Sequence, residues 1–314
     1  MKTVFIINPM AGQGKHLEPL TRDIHLAAEE KAADVQIYVT QGVGDGEQFV
    51  RDWCKEKGAA RFIACGGDGT LSEVLNGAIL CPGAEIGVMP VGTGNDFCRN
   101  FDNREAFKSV AAQLSGSTIK CDAIRYRTEV SGKEKTGYCI NMFNIGFDCN
   151  VADMVADMKK KPFVSGSFAY ILSVLVTLIC KRGANLTVEV DGETYQDGPL
   201  LLTSVANGSY CGGGIKSNPL ASVSDGNMSI NIIKNISRLQ FIRLLPHYMK
   251  GTFLKIKNIE KVIHSVVCQT LTVTPRGGNF RICCDGEITD AGKTEFSVIP
   301  GAFNFVLPVP EEKC

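Results

Sequence analysis

The sequence predicts an α/β + β fold: an N-terminal α/β region built on a parallel sheet, then a mostly antiparallel β domain. Three observations carry that expectation. Apolar, β-branched runs alternate with helix-like segments up to the region of Asp122. Short strand patterns separated by turn residues take over beyond it. Three glycine-bearing loops follow directly from the ends of N-terminal strands.

Taken in order, "TVFIIN" is a first β-rich run and residues 17–31 are helix-like, with no proline after Pro19. "DVQIYVT" reads as a second strand, 46–56 as a second helix, "RFIACGG" as a third strand, "LSEVLNGAI" as a third helix and "EIGVMP" as a fourth strand. Such alternation places helices on both faces of a parallel sheet, and ligands of such sheets sit at the carboxyl ends of the strands. Further on, "TVEVDGETY", "PLLLTSVANG", "NMSINIIK", "TLTVTP" and "NFRICCDGEI" read as short strands, with helical candidates at 163–180 and 237–250. No internal repeat or low-complexity segment occurs.

With 314 residues and 44% hydrophobic content, the chain can bury one large core or two ordinary ones. Lysine plus arginine equals aspartate plus glutamate at 33 each, which leaves no global charge to attract nucleic acid. Thirteen cysteines suggest a disulfide framework by number, but none forms a C-x-x-C pair and most lie in apolar runs. They read as reduced, buried small hydrophobes, with structural zinc disfavoured. The start, "MKTVFIINP", runs straight into a strand pattern, so no signal peptide and a cytoplasmic location are expected. The longest uninterrupted apolar run, Phe168 to Cys180, has 13 residues, too few to cross a bilayer, and reads as a buried helix.

The loops carry the chemistry. In "NPMAGQGKH", glycines let backbone amides approach an anion and the following helix N-terminus adds partial positive charge. It is neither a Walker A loop nor a dinucleotide fingerprint, and an ordinary strand-to-helix turn is the alternative. In "CGGDGTLSEVLNG", Gly66 and Gly67 allow a tight turn, Gly69 clears the approach to Asp68, and Thr70 can cap the next helix or bind a phosphate oxygen. Glu73 reads as a first-turn carboxylate favoured by the helix dipole. In "MPVGTGNDFCRN", Gly92 and Gly94 flank Thr93, and Asn95 and Asp96 can cap a new helix. Each loop is weak alone; together they suggest a nucleotide site made of backbone amides and hydroxyls. In "CCDGEITD", Asp285-Gly286 can close a hairpin, leaving Glu287 either a solvated strand residue or a functional carboxylate.

"GGDGTLSEVLNG" followed by "PVGTGNDFCR" resembles the catalytic domain of diacylglycerol kinases, and more closely the soluble bacterial lipid kinases related to them. "NPMAGQGK", "NMFNIGFD", "VANGSYCGGG", "PLASVSDGNMSI" and "DGE" extend the resemblance over nearly the whole chain. It implies a first domain like that of phosphofructokinases and NAD kinases at 1–125, an antiparallel β-sandwich at 126–299, a return of 300–314 to the first domain, and an active site in the cleft between them. It implies ATP and magnesium as the groups bound. Asn8, Gly12, Gly14 and Lys15 would border the triphosphate, Thr40 would contact the nucleotide, Gly66, Gly67, Asp68, Gly69, Thr70, Leu71 and Ser72 would form the main phosphate and adenine-side loop, and Thr93 would face it. Asp68 would organise catalytic magnesium, and Glu287 would accept the proton of the lipid hydroxyl. A separate structural magnesium would lie at Asp225, with Ser222 and Asn227 offering carbonyls.

Phosphoryl transfer asks for positioning and charge neutralisation, and an alcohol must lose its proton late, to a carboxylate within reach. A lipid kinase must also meet a membrane. Segments 159–182 and 238–257 interleave lysines and arginines with apolar residues, which favours anionic membrane surfaces; packed helices with solvated lysines are the alternative. The rival activities are an NAD kinase-like phosphotransfer and a non-catalytic lipid- or nucleotide-binding regulator. Asn76 is followed by glycine, so the Asn-Glu pair that NAD kinases use on the NAD ribose is missing here. Which lipid is phosphorylated is not written in the residues, and an oligomer stays an open alternative.

Overall fold

The computed structural model describes residues 1–146, 183–277 and 280–309. The helical candidate at 163–180 and the basic segment 159–182 lie outside them. Strand β1 (Thr3–Ile7) is buried at every position. It pairs in parallel with β2 (Val35–Val39) and β3 (Arg61–Gly66), and β3 with β4 (Glu85–Pro90), giving the order β2-β1-β3-β4. A central parallel strand covered on both faces must be apolar throughout. Val4 and Ile6 face Val50 and Trp53 of α2 (Asp45–Lys57) and Leu71 and Leu75 of α3 (Asp68–Ala78). Phe5 and Ile7 face the other way, onto Leu20 and Ile24 of α1 (Leu17–Glu30). Trp53 meets Phe62 edge-on, with ring centroids 6.4 Å apart. Phe62 is fully buried, so truncating it to alanine should cost roughly 3–5 kcal/mol.

A short helix α4 (Val110–Leu114) packs against α1 and leads into β5 (Ser117–Val130), the first antiparallel strand. The sandwich that follows contains β6 (Lys133–Cys139), β7 (Met142–Gly146), β8 (Ala184–Val190), β9 (Glu193–Ala206), β10 (Met228–Lys234), β11 (Ile263–Cys268), β12 (Thr270–Pro275), β13 (Phe280–Cys284), β14 (Glu287–Ala291) and β15 (Thr294–Leu307). Three hairpins close on residue pairs that both take positive φ: Ser131-Gly132, Asp191-Gly192 and Asp285-Gly286. That conformation matches the right-handed twist of the strands, and it explains the Asx-Gly and Ser-Gly pairs there. Phe143, Val188, Ile230, Ile282 and Phe296 lie in the core of this half. Helix α5 (Arg238–Met249) starts on a capping box made by Ser237 and Gln240 and covers one end of the sandwich.

β15 ties the halves together. Its length pairs antiparallel with β5, while Asn304 and Phe305 also pair in parallel with Glu85 and Ile86 of β4. The register shifts at Pro300 and Gly301, where the Gly301 amide donates to Asp122 at 2.7 Å. Asn76 on α3 reaches β6: its Nδ2 donates to the Tyr138 carbonyl at 2.9 Å and its Oδ1 accepts from the Tyr138 amide at 3.0 Å. Asn100 accepts from the Ser209 amide at 2.8 Å. The strand-end loops of the first sheet are thereby held facing the sandwich.

Candidate active site

Three loops converge at the carboxyl end of the parallel sheet because β1, β3 and β4 are neighbours. The β3 loop and the β4 loop touch through backbone: the Val91 and Gly92 amides donate to the Gly66 carbonyl at 3.1 and 3.2 Å. A Cβ on Gly92 would fall 2.4 Å from Gly67 Cα, so only glycine permits this approach. The β1 loop joins through Asn8, whose Nδ2 donates to Thr70 Oγ1 at 3.3 Å while its Oδ1 accepts from the Met10 amide. Gly12 and Gly14 take positive φ, and a Cβ on Gly12 would strike the His16 ring and the Val91 carbonyl.

Asp68 begins α3. Its Oδ1 accepts from the Asp96 amide at 2.8 Å and the Phe97 amide at 3.4 Å, and its Oδ2 lies 2.8 Å from where a Cβ on Gly94 would stand. Burial raises its pKa above the ordinary value, and the backbone donors oppose that rise. Asp96 stands beside it. Burial and then the charge of Asp68 push Asp96 up to about 6. Its Oδ2 accepts from the Gly213 amide at 2.9 Å, which brings a sandwich loop to the β4 loop. Its Oδ1 lies 3.3 Å from Arg99 Nε, too bent for a hydrogen bond, and neither atom has another partner among the described residues. The half-buried Asp68 and the buried Asp96, whose Oδ1 accepts no hydrogen bond among the described residues, form a hard-oxygen donor set, which fits a divalent cation.

Glu287 comes from the far end of the chain to the same place. Its Oε1 is 3.8 Å from where a side chain on Gly69 would begin, across from the first turn of α3. Partial desolvation, then the charges of Glu73 and Asp285, raise its pKa above the ordinary glutamate value. Asp285 holds the hairpin that carries it. The buried Asp285 carboxylate accepts from the amides of Ile140 at 2.9 Å, Asn141 at 3.1 Å and Met142 at 3.0 Å, and from the Cys139 thiol at 3.1 Å. The aspartate of "DGE" therefore docks the turn into a nest of amides, and the glutamate projects from it.

The other sequence-selected residues fall as follows. Lys15 is exposed at the end of the β1 loop, and Thr93 is exposed on the β4 loop. Thr40 is buried just past β2, with its amide donating to the Ile7 carbonyl at 2.9 Å. Gly66, Gly67 and Gly69 line the approach to Asp68. Leu71 points into the core, fully buried, and its amide donates within the helix to Gly67, so its side chain is unavailable to a nucleotide. Ser72 is half-buried, and its carbonyl accepts from Asn76. Ser222, Asp225 and Asn227 share one turn; Asp225 is exposed, and its Oδ1 and carbonyl accept from the Asn227 amide and Nδ2 at 3.0 and 2.9 Å.

Three local expectations are corrected. Thr70 does not cap α3, which starts two residues earlier; it is buried and accepts from Asn8. Glu73 does not serve its own helix. Its carboxylate accepts from the Gly44 and Gly46 amides at 2.9 and 3.0 Å and caps α2. Asn95 and Asp96 do not cap the turn at Phe97–Asn100 through their side chains: Asn95 donates to the Gly92 carbonyl, and Asp96 turns to Arg99 and Gly213. Sequence reasoning gave Asp96 only that capping role and left Asp285 as a turn residue. The signal available for both was a carboxylate within two residues of a glycine in a strand-end loop or turn.

Residues 2–126 match the diacylglycerol kinase catalytic domain family, and residues 141–307 match the YegS C-terminal, NAD kinase β-sandwich-like domain. Among curated proteins, the chain is 30% identical over 219 residues to the "probable lipid kinase YegS" of Shigella flexneri, covering 68% of this chain and 69% of that protein. It is 28% identical over 226 residues to the "probable lipid kinase YegS-like" of Citrobacter koseri, covering 70% and 71%. A crystal structure of a diacylglycerol kinase from Bacillus anthracis superposes with a TM-score of 0.68 at 20% identity, over 98% of this chain and 97% of that one. Yeast NADH kinase complexed with NADH superposes with a TM-score of 0.53 at 12% identity, over 99% and 84%. These structural likenesses show the shared fold.

Proposed function

From the premise that the chain belongs to the YegS-like lipid kinases of the diacylglycerol kinase family, we propose that it transfers the γ-phosphate of ATP to a hydroxyl of a lipid such as diacylglycerol. The observation that carries the reading is the meeting of Glu287 with the Asp68 loop across the cleft. A base on one wall and phosphate-binding backbone on the other is the arrangement that phosphoryl transfer to an alcohol requires.

In this reading the lipid hydroxyl lies between Glu287 and the nucleotide. Its O–H proton passes to the Glu287 carboxylate as the new O–P bond forms, and the bond from phosphorus to the ADP oxygen breaks. The raised pKa of Glu287 brings it nearer the working pH of a general base. The glycines of the β1, β3 and β4 loops, with Asn8, Thr40, Ser72 and Thr93 around them, give triphosphate oxygens access to amides and hydroxyls, and Lys15 adds charge from the rim. Asp68 and Asp96 would hold magnesium, which supplies charge neutralisation on the phosphate oxygens. The Asp225 turn, with the carbonyls of Ser222 and Asn227, is the proposed place of a second, structural magnesium.

One observation weighs against an NAD kinase. The Asn76 amide is committed to both backbone groups of Tyr138 and so is not offered to a ribose. Retention of Asp68 and Glu287 weighs against a non-catalytic regulator. The test is transfer of radiolabelled γ-phosphate from ATP over a panel of dispersed diacylglycerol, phosphatidylglycerol, sphingoid base and polyprenol, with NAD as the rival acceptor. Label in one lipid supports the reading; label in NAD alone overturns it.

A further inference from the structure

Helix α5 carries two apolar stripes. At ~100° per residue, Phe241, Leu244 and Tyr248 fall on one face, and they are buried with Phe253 and Ile263. Leu239, Ile242 and Met249 fall on a second face, and they are 76%, 54% and 38% exposed. Leu254, just beyond the helix, is exposed as well. An amphipathic helix of a soluble domain needs one apolar stripe to join its core, and the second has no such purpose here.

The charge around this second stripe is one-sided. Residues 238–257 contain five lysines and arginines and no aspartate or glutamate, in a chain whose overall charge is zero. Arg243, Lys250, Lys255 and Lys257 are exposed and form no ion pair among the described residues. Arg243 and Lys250 lie beside the apolar stripe, and Lys255 and Lys257 extend the basic surface past Leu254.

The stripe is also joined to the candidate active site. The Met249 carbonyl accepts from the Lys216 amide at 2.9 Å. Lys216 follows a tight turn closed by the Cys211–Ile215 bridge, and the Gly213 amide in that turn donates to Asp96. A surface that engages α5 therefore lies one loop away from the carboxylates that face the nucleotide loops.

We propose that the outer face of α5 docks this protein onto an anionic bilayer, with Leu239, Ile242, Met249 and Leu254 entering the headgroup boundary and Arg243, Lys250, Lys255 and Lys257 meeting lipid phosphates. The proposal rests on the lipid-kinase reading for its purpose, and it deepens that reading by naming the surface that meets the substrate-bearing membrane.

The test is co-sedimentation of the full chain with vesicles of phosphatidylcholine alone and of phosphatidylcholine mixed with phosphatidylglycerol. The wild type should bind the mixed vesicles, lose that binding as salt rises, and bind phosphatidylcholine weakly. Leu239→Ser with Ile242→Ser, and separately Arg243→Glu with Lys250→Glu, should each lower the partition onto mixed vesicles about tenfold or more. Both double variants should keep wild-type turnover on a short-chain diacylglycerol dissolved as monomers. Variants that bind mixed vesicles as the wild type does would overturn the proposal, as would a wild type that binds neither vesicle. A wild-type dimer that sedimentation equilibrium shows dissociating in Leu239→Ser with Ile242→Ser would assign the stripe to a second copy and overturn it too. A wild type that binds mixed vesicles but phosphorylates no lipid supports the docking surface and removes the lipid-kinase reading, so the two failures are separable.

Discussion

Gly92→Ala tests how the β3 and β4 loops of the candidate site are assembled. The added Cβ would stand 2.4 Å from Gly67 Cα and 3.0 Å from Gly67 N and Asn95 Oδ1. Carbon contacts are comfortable from ~3.5 Å, so the β3 and β4 loops must part by about 1 Å. Gly92 does not occupy the left-handed region, which means alanine suffers no dihedral strain there and the effect is purely steric. Overpacking of this kind costs ~1–3 kcal/mol, and a displacement near 1 Å between catalytic elements lowers turnover about 10²-fold. Gly67→Ala is the matched control for stability, because its Cβ would meet Gly92 Cα at 3.5 Å, an ordinary contact. The assay pairs a thermal melt of the ligand-free protein with ATP-dependent lipid phosphorylation. Gly92→Ala should melt several degrees below the wild type and lose turnover, whereas Gly67→Ala should melt with the wild type. A Gly92→Ala protein with unchanged melting and turnover would refute the backbone-contact account of the site.

Asp285→Asn should destabilise the protein and slow turnover together. The amide can accept through one oxygen only, and its NH2 would face donors, leaving a buried amide unsatisfied at ~1–3 kcal/mol; a urea titration with wild-type stability would contradict the nest at residues 139–142. Asp96→Asn should change how stability depends on pH. Because the folded pKa is raised from 3.8 to about 6, the folded state holds the proton more tightly, so wild-type stability falls as pH rises from about 4 to about 6, by roughly 3 kcal/mol. The variant should lack that fall in the presence of a chelator, and the same fall in both proteins would show that Asp96 is not its source. Buried thiols should be slow to alkylate: burial pushes Cys98 and Cys121 up to about 12, so iodoacetamide should label them at neutral pH only after unfolding. Rapid native labelling of Cys98 would contradict its place in the core.

The parallel sheet was legible because β1, β3 and β4 are largely buried and read as apolar runs, while the half-buried edge strand β2 still carries a β-rich pattern. The antiparallel half was read in part. The Asp285-Gly286 hairpin announced itself through turn chemistry, whereas the Asp191-Gly192 turn lies inside "TVEVDGETY", which reads as one strand run. β5 and β6 were missed, since "STIKCDAIRYRTEV" and "KEKTGYC" spend many positions on exposed charged residues, and β11 was missed although it is largely apolar. "TVEVDGETY" and "PLLLTSVANG" read as two runs, but the second extends the 14-residue β9 through Gly198 and Pro199. At the site, loops and carboxylates could be picked out from local patterns. Their roles could not, because Glu73 caps a helix 27 residues earlier and Asp285 binds amides more than 140 residues away in sequence. Such partners become visible only once the topology packs α3 against α2 and brings β13 beside β7.

The central claim is that Glu287 takes the proton from a lipid hydroxyl positioned by the Asp68 loop. It is tested most directly by the pH profile of kcat/KM for wild type and Glu287→Gln on the lipid that the wild type phosphorylates, with ATP binding measured in parallel. The account predicts an acidic limb in the wild type lying above the ordinary glutamate value of 4.5, and a loss of turnover of about 10²–10⁴-fold in the variant with that limb abolished and ATP binding retained. A Glu287→Gln enzyme that keeps wild-type turnover and the same acidic limb would contradict it.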